Sequence, residues 1–392
     1  MTSPSNALKW TLPLCTWPVL IYLVLHRSQE PQVLGRWSFG YASLAAGWAF
    51  LTLISSACLW TPFRRRLLAS RAALSSLFCG LILATFMGEV LLRTIDPMGF
   101  AYYGEMQRYI HMRRDNEKLV YTQPASTEVV LDGTQVRYNS LGLRGPELGS
   151  KGPDEKRVLF LGDSVVFGWG VKEERLFVNG VADRLEKATG DTWVGINAGV
   201  CSYNSEQEEL YLEHHGFDLQ PDLVVLVIID NDVLTYSDQW KAQASKPSPI
   251  RRLQIAMRNS FLYRLANHAL TNGLGGISLE GAERSMNPDT EGWEKNMQAL
   301  NRMGERCEAQ GIPLAIFHFR WNSGPWTDTF LQHAREHAAP LPVGDTSTWF
   351  EDAPLNKWVN SMTDSHPNAQ AHSRTAKKMV ETVGELGLVD GL

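Results

Sequence analysis

Three short runs constrain this chain more than any other feature. Residues 157–161 (RVLFL), 222–229 (DLVVLVII) and 312–319 (IPLAIFHF) are almost unbroken apolar sequence. A strand with one wet face alternates polar and apolar residues. A continuous run needs both faces covered, as in a parallel sheet between layers of helices. Helix-period segments lie between the runs. Residues 173–189 put Leu176, Phe177, Val181, Leu185 and Ala188 on one face, and residues 291–309 stop at Gly311. Further helices are predicted at 206–215, 327–338 and 367–386. With strands at 193–197 and, more weakly, at 342–349, the alternation predicts an open parallel sheet in a three-layer α/β/α unit over residues 155–392. Residues 233–290 break the rhythm and read as an insertion.

The first 93 residues have a different composition. Residues 10–25, 38–60 and 72–92 are apolar; the second contains no charge, and the third only Glu89. A membrane-crossing helix needs ~20 such residues. The second and third qualify, while the first is short and carries Pro13 and Pro18. Two to three transmembrane helices in a lipid bilayer are therefore expected. Arg64, Arg65, Arg66 and Arg71 lie in the loop between the second and third stretches. Arginine-rich short loops stay cytoplasmic, so everything after Arg93 is expected outside the cytoplasm, which is the periplasm if the source is a Gram-negative bacterium. Residues 94–154 read as a connector with a hairpin, EVVLDGTQVRYNS, turning at Asp132-Gly133. In the next turn, NSLGLRGPE, Arg144 reads either as a solvent-facing side chain or as part of an active-site rim.

The formal net charge of -5 offers nothing to nucleic acid. No CxxC or Cys/His metal spacing is present, so neither metal nor cofactor is expected. Cys201 and Cys307 could pair if the fold brings them together, which spacing cannot decide.

In open α/β sheets, ligands bind beyond the carboxyl ends of the strands. The first strand delivers Gly162, Asp163 and Ser164 there; the second delivers Asn197, Ala198 and Gly199; the third delivers Asp230, Asn231 and Asp232. The last loop delivers Asp364, His366 and Pro367. A hydroxyl, an imidazole, a carboxylate and several amides are the parts of an acyl-transfer site. Each has a plainer reading. Ser164 and Asn231 suit helix caps, Asp163 and Gly199 suit turns, and His366 suits a helix start. Asp232 reads as a brace for the rim. His333 and His337, one helical turn apart, read as a solvated face, and His318 as core.

Taken in order, these blocks resemble the SGNH, or GDSL-type, hydrolases and acyltransferases, over roughly residues 155–388. The resemblance implies a flavodoxin-like, SGNH hydrolase-like sheet. It implies Ser164 as nucleophile, His366 as general base and Asp364 as its orienting acid. The Ser164 and Gly199 N–H groups and the Asn231 amide would form the oxyanion hole, with Asp163 and Asp232 supporting. Two departures stand out. Asp230 occupies a position usually held by glycine, and the acid lies two residues before the histidine rather than three. The shorter spacing is similar to that of members that acetylate secreted polysaccharides, and it leaves Asp352 or Glu351 as substitute acids. The expectation is a serine esterase acting on acyl, above all O-acetyl, esters of an extracytoplasmic carbohydrate. Two alternatives stay open: an O-acyltransferase fed by a membrane acyl-transfer partner, and a catalytically silent binding module. Gly168 and Gly170 are expected to turn the chain beside Ser164 and leave room for an acyl group. Trp169 and Trp321 are expected either to line that pocket or to be packed.

Overall fold

The computed structural model describes residues 4–25, 34, 36–37, 39–229, 232, 257, 259–273, 277, 291–321, 332 and 342–392. Asp230, Asn231, His333, His337 and nearly all of the helix expected at 327–338 lie outside the described residues. The chain divides into two compact units: Met1–Pro97 with Lys246–Gly276, and Met98–Ser245 with Ile277–Leu392.

The first unit contains α1 (Pro4–Leu25), α2 (Phe39–Ala57), α3 (Thr61–Ala69) and α4 (Arg71–Ile95). By length and composition α4 can cross a membrane: 25 residues, mean hydropathy 1.8, no side chain buried. α2 and α3 meet at a bend of 108° and qualify only if taken together as one broken span; the apolar part of α1, from Pro13, is shorter. The arginine-rich stretch expected as a loop is largely helical. Pro62 sits in the first turn of α3, where its fixed φ favours helix and its missing N–H costs nothing. Side-chain hydrogen bonds tie α1 to α2: Trp48 Nε1 donates to Thr16 O (2.9 Å), Trp17 Nε1 donates to Ser56 Oγ (3.1 Å), and the Thr16 and Ser55 hydroxyls lie 3.2 Å apart. Glu89, the one acid of the third apolar stretch, accepts from Phe261 N (2.9 Å), Leu262 N (3.0 Å) and Ser260 Oγ (2.8 Å). It thus caps the helix Phe261–Thr271.

The second unit begins with α5 (Tyr102–Met112) and two hairpins, β1 (Arg114–Asn116) with β2 (Val120–Thr122) and β3 (Thr127–Leu131) with β4 (Thr134–Tyr138). The predicted Asp-Gly turn joins β3 to β4. Asp132 and Gly133 both have positive φ, 48° and 68°, as a two-residue hairpin turn requires. The α/β part follows as β5 (Glu155–Gly162), α6 (Ser164–Phe167), α7 (Phe177–Thr189), β6 (Thr192–Asn197), α8 (Ser205–Tyr211), β7 (Leu223–Ile228), α9 (Glu291–Gln310), β8 (Leu314–His318), β9 (Val343–Asp345) and α10 (Ala369–Glu385).

The five strands pair in parallel in the order β6-β5-β7-β8-β9. This is the expected three-layer flavodoxin-like sheet. The apolar runs are continuous because alternate residues serve opposite layers. Val158, Phe160, Val225, Val227 and Phe317 pack with Phe177, Leu185 and Met379 of α7 and α10. Leu159, Leu161, Val224, Leu226 and Ile316 pack with Trp293, Leu300 and Met303 of α9. A buried Leu, Val or Phe contributes ~1.5–3 kcal/mol relative to exposure, so a residue-by-residue shift of any central strand would be opposed from both faces. From β5 the chain passes to β6 on one side, and from β6 it crosses back to β7 on the other. That reversal places a crevice at the carboxyl end of β5.

Candidate active site

At that end, Gly162 has φ +152°, and a Cβ there would lie 2.4 Å from Val166 Cγ2 and 2.7 Å from Val227 O. Only glycine fits so tight an exit from the strand. Asp163 follows as the N-cap of α6, its Oδ1 accepting from Val165 N (2.9 Å). The cap is therefore Asp163, and Ser164 is the first helical residue. α6 lasts four residues and ends at Gly168 in left-handed backbone.

Ser164 Oγ lies 2.8 Å from His366 Nε2, and His366 Nδ1 lies 2.5 Å from Asp364 Oδ1. With Asp364 accepting from Nδ1, Nε2 is left to accept from the serine hydroxyl. Three side chains from two distant loops thus form one hydrogen-bonded line with the geometry of a hydroxyl, a base and an orienting acid. Asp364 is buried and also accepts from Asn360 Nδ2 (3.1 Å) and from the His366 N–H (3.1 Å). Of the two substitute acids, Asp352 is exposed and ion-paired with Arg374. Asn368, not His366, starts the last helix, its Oδ1 accepting from Gln370 N (3.0 Å) and Ala371 N (3.1 Å).

Ser164 Oγ also lies 2.9 Å from Asp163 Oδ2. Burial raises the Asp163 carboxyl above the ordinary range, opposed by the Val165 N–H and by His366. Behind it, burial and then the Asp163 charge push Glu208 well upward. Glu208 is on α8, and neither of its carboxyl oxygens has a hydrogen-bond partner among the described residues.

Gly199 departs from its expected role. Its N–H donates to Asn197 Oδ1 (3.0 Å), so it is not directed at an oxyanion. A Cβ at Gly199 would lie 2.2 Å from Phe167 N, so glycine is required there for close packing against α6. Its carbonyl accepts from Gln123 Nε2 (2.6 Å). Three residues on, Ser202 has a φ of 66°, sparsely populated for a residue with a side chain. Asp232 is buried, and its Oδ2 accepts from Ile229 N (2.7 Å).

The glycines after Ser164 do turn the chain, with φ values of 78° and 72°, and neither has room for a Cβ. A Cβ on Gly168 would lie 2.1 Å from Leu176 Cδ2, and one on Gly170 2.5 Å from Asn360 Nδ2. Trp169 is packed, 1% exposed, edge-on to Tyr102 and Tyr109. Trp321 is half-buried, and its Nε1 donates to Ser365 O (3.1 Å). Cys201 and Cys307 are separate buried thiols in different core clusters.

Several residues that hold the site had no signal in sequence spacing. The ring of Tyr102 lies 5.6 Å from that of His366. Thr363 Oγ1 donates to Met98 O (2.9 Å) and Gly99 O (2.8 Å), tying down the acid–base loop. Arg144 is buried rather than solvent-facing, and burial lowers its guanidinium to about 10. The connector is thus built into the walls of the site.

The model of the GDSL-like Lipase/Acylhydrolase family matches residues 160–374, more than half of the chain. The chain belongs to this family. It is therefore an ester hydrolase of the GDSL-like type, and the match runs from β5 into α10, spanning Ser164, Asp364 and His366. No curated protein matches the sequence. Among solved structures, this GDSL-like chain is similar to a two-domain esterase (CEX) active on acetylated mannans, co-crystallised with mannopentaose: 15% identity, TM-score 0.39, covering 61% of this chain and 51% of that one. It thus spans about half the length of that esterase. It is also similar to TesA (18% identity, TM-score 0.39, covering 59% and 99%). A third is a catalytic mutant of Axe2, an acetylxylan esterase from Geobacillus stearothermophilus (14% identity, TM-score 0.37, covering 58% and 94%).

Proposed function

We propose that this ester hydrolase works through a covalent acyl-enzyme on Ser164, with His366 as general base and Asp364 as its orienting acid. The observation that supports the reading is the line Ser164 Oγ–His366 Nε2–His366 Nδ1–Asp364 Oδ1, with separations of 2.8 and 2.5 Å. As Oγ bonds to the ester carbonyl carbon, its proton passes to Nε2. Asp364 stabilises the resulting imidazolium. When the tetrahedral adduct collapses, that proton goes to the departing alkoxide. Water oxygen then bonds to the acyl carbon as one of its protons passes to Nε2; collapse of this second adduct breaks the bond to Oγ, returns that proton to Oγ and releases the acid. The Ser164 N–H and the Asn231 amide are the proposed donors to the oxyanion. Because the Gly199 N–H is held by Asn197, it is not retained in that role.

The proposed substrate is an O-acyl, above all O-acetyl, ester of a carbohydrate outside the cytoplasm. The Asp364-x-His366 spacing supports the substrate class. The apolar exposed α4 behind Arg64, Arg65, Arg66 and Arg71 supports a membrane anchor with the second unit on the outer side. Full-length protein in detergent should be labelled by a fluorophosphonate at Ser164, cleave p-nitrophenyl acetate, and release acetate from acetylated glycans. Ser164→Ala should lose all three; undiminished turnover by that variant would overturn the reading. Acetate moved onto an added glycan, rather than released, would mark a transferase instead.

A further inference from the structure

We propose that Arg144, from the connector, is a positioning residue for the acyl-transfer step: it holds the turn after α6 so that Ser164 keeps its place opposite His366. This rests on the serine-nucleophile reading above.

The turn from Phe167 to Val171 leaves five successive main-chain carbonyls for three side chains to bind. Arg144 Nη1 donates to Phe167 O and to Gly168 O, each at 2.7 Å, and Arg144 Nη2 donates to Val171 O at 2.5 Å. Asn360 Nδ2 donates to Trp169 O (2.9 Å), and Thr134 Oγ1 donates to Gly170 O (3.2 Å). A helix of four residues cannot satisfy its last carbonyls, and Arg144 takes that of Phe167, its final residue, and that of the cap residue Gly168.

The link to Ser164 is direct. Gly168 N donates to Ser164 O (3.0 Å), and Trp169 N donates to the same oxygen (3.2 Å). The two peptide groups between Arg144 and Ser164 are thus bound at both ends: each carbonyl on the guanidinium, each N–H on the Ser164 carbonyl. Moving the guanidinium moves the two peptide planes that hold the serine main chain. The Asn360 side chain that takes Trp169 O also takes Asp364 Oδ2, so the same turn is tied to the acid–base loop.

The chemistry of Arg144 fits this use. It is 3% exposed and forms no ion pair with a carboxylate among the described residues. A buried cation without a counter-ion is expensive unless its donors are met, and here main-chain carbonyls and the Phe167 ring, 4.8 Å from Cζ, meet them. The planar fork spreads its donors from two nitrogens over three carbonyls, whereas an ammonium must donate from a single nitrogen.

The test uses full-length protein with Arg144→Met and Arg144→Lys. Active sites are counted with a fluorophosphonate, and p-nitrophenyl acetate turnover is expressed per labelled site. Arg144→Met should lower kcat per labelled site by roughly 10- to 100-fold, with KM within about twofold, and slow the labelling rate in parallel. Arg144→Lys should recover only part of the loss. If turnover per labelled site equals wild type while only Tm or the labelled fraction falls, Arg144 serves stability alone and the proposal fails. If Arg144→Met does not fold, Arg144→Lys decides: a several-fold loss per labelled site supports the proposal, and the wild-type value overturns it. Failure of the underlying reading looks different, because wild type would then go unlabelled and Ser164→Ala would stay active.

Discussion

Asn360 Nδ2 donates to the main-chain carbonyl of Trp169 at 2.9 Å, joining the loop that carries Asp364 and His366 to the turn that carries Ser164. The same nitrogen lies 3.1 Å from Asp364 Oδ2. One side chain thus sets the separation of two loops 191 residues apart in sequence. Asn360→Ala should lower kcat on p-nitrophenyl acetate by roughly 10- to 100-fold at nearly unchanged KM, because a shift of about 1 Å in a catalytic group costs that much. Unaltered kcat would show that the loops hold each other without it.

Asp364→Asn tests the orienting acid more severely. An amide can donate to Nδ1, which would move the imidazole proton to Nε2 and leave nothing to accept from Ser164 Oγ. In a serine triad this tautomer change lowers kcat by about 10⁴-fold. A loss below about tenfold in steady-state kinetics would assign the orientation of His366 to another group.

Glu208 should make stability fall with rising pH. Its folded-state value is raised by burial and by Asp163, so the folded protein keeps a proton that the unfolded chain releases above the ordinary carboxylate range. Its contribution is complete below that range and is lost as pH rises through the folded value, with a slope of about 1.4 kcal/mol per pH unit. Glu208→Gln keeps the shape without the ionisation. Its advantage in Tm over wild type should grow from pH 5 to pH 8, and parallel curves would show that Glu208 ionises normally.

His372 acts at the acid end. Burial, and then Arg144, lower it to about 3, and its Nδ1 accepts from Phe177 N (3.0 Å). The unfolded chain takes up a proton near pH 6.5 that the folded protein refuses until about 3. Stability from this group is present above pH 6.5 and is lost as pH falls, again by about 1.4 kcal/mol per unit. Denaturant titrations should show a shallower acid slope for His372→Gln than for wild type, and equal slopes would refute the assignment.

Gly168 should tolerate no side chain. Its φ of 78° is strained for alanine, and the new Cβ would meet Leu176 Cδ2 at 2.1 Å. Gly168→Ala is expected to cost about 1–3 kcal/mol in urea unfolding and to reduce turnover, since the Gly168 N–H holds Ser164 O. A variant as stable as wild type would mean that the turn relaxes freely.

Much of the fold was written locally. The unbroken apolar runs announced strands buried on both faces. β5, β7 and β8 lie within them because alternate side chains feed opposite helix layers. Asp132-Gly133 announced its turn through the two positive φ values that only such residues adopt readily. Ser164, Asp364 and His366 stood out as strand-end and loop residues, and the fold brings them into one hydrogen-bonded line. By contrast, α5 and the β1–β2 hairpin passed unnoticed, since three-residue strands are too short to show a period. The helical course of α3 was also hidden by its arginines, which read as loop.

What the sequence alone determined was the order of elements and the chemical identity of the groups at the strand ends, because periodicity and turn chemistry are properties of neighbouring residues. What only the tertiary structure decided was which of those groups point where. Gly199 turned out to serve close packing with its N–H held by Asn197, and Asp352 was taken by Arg374. Asn360 and Tyr102 came to the site from segments with no motif, and the structure chose between the two readings of Arg144 by burying it. Hydrogen-bond partners distant in sequence compete for the same donors and acceptors, and that competition is settled by distances in the folded chain.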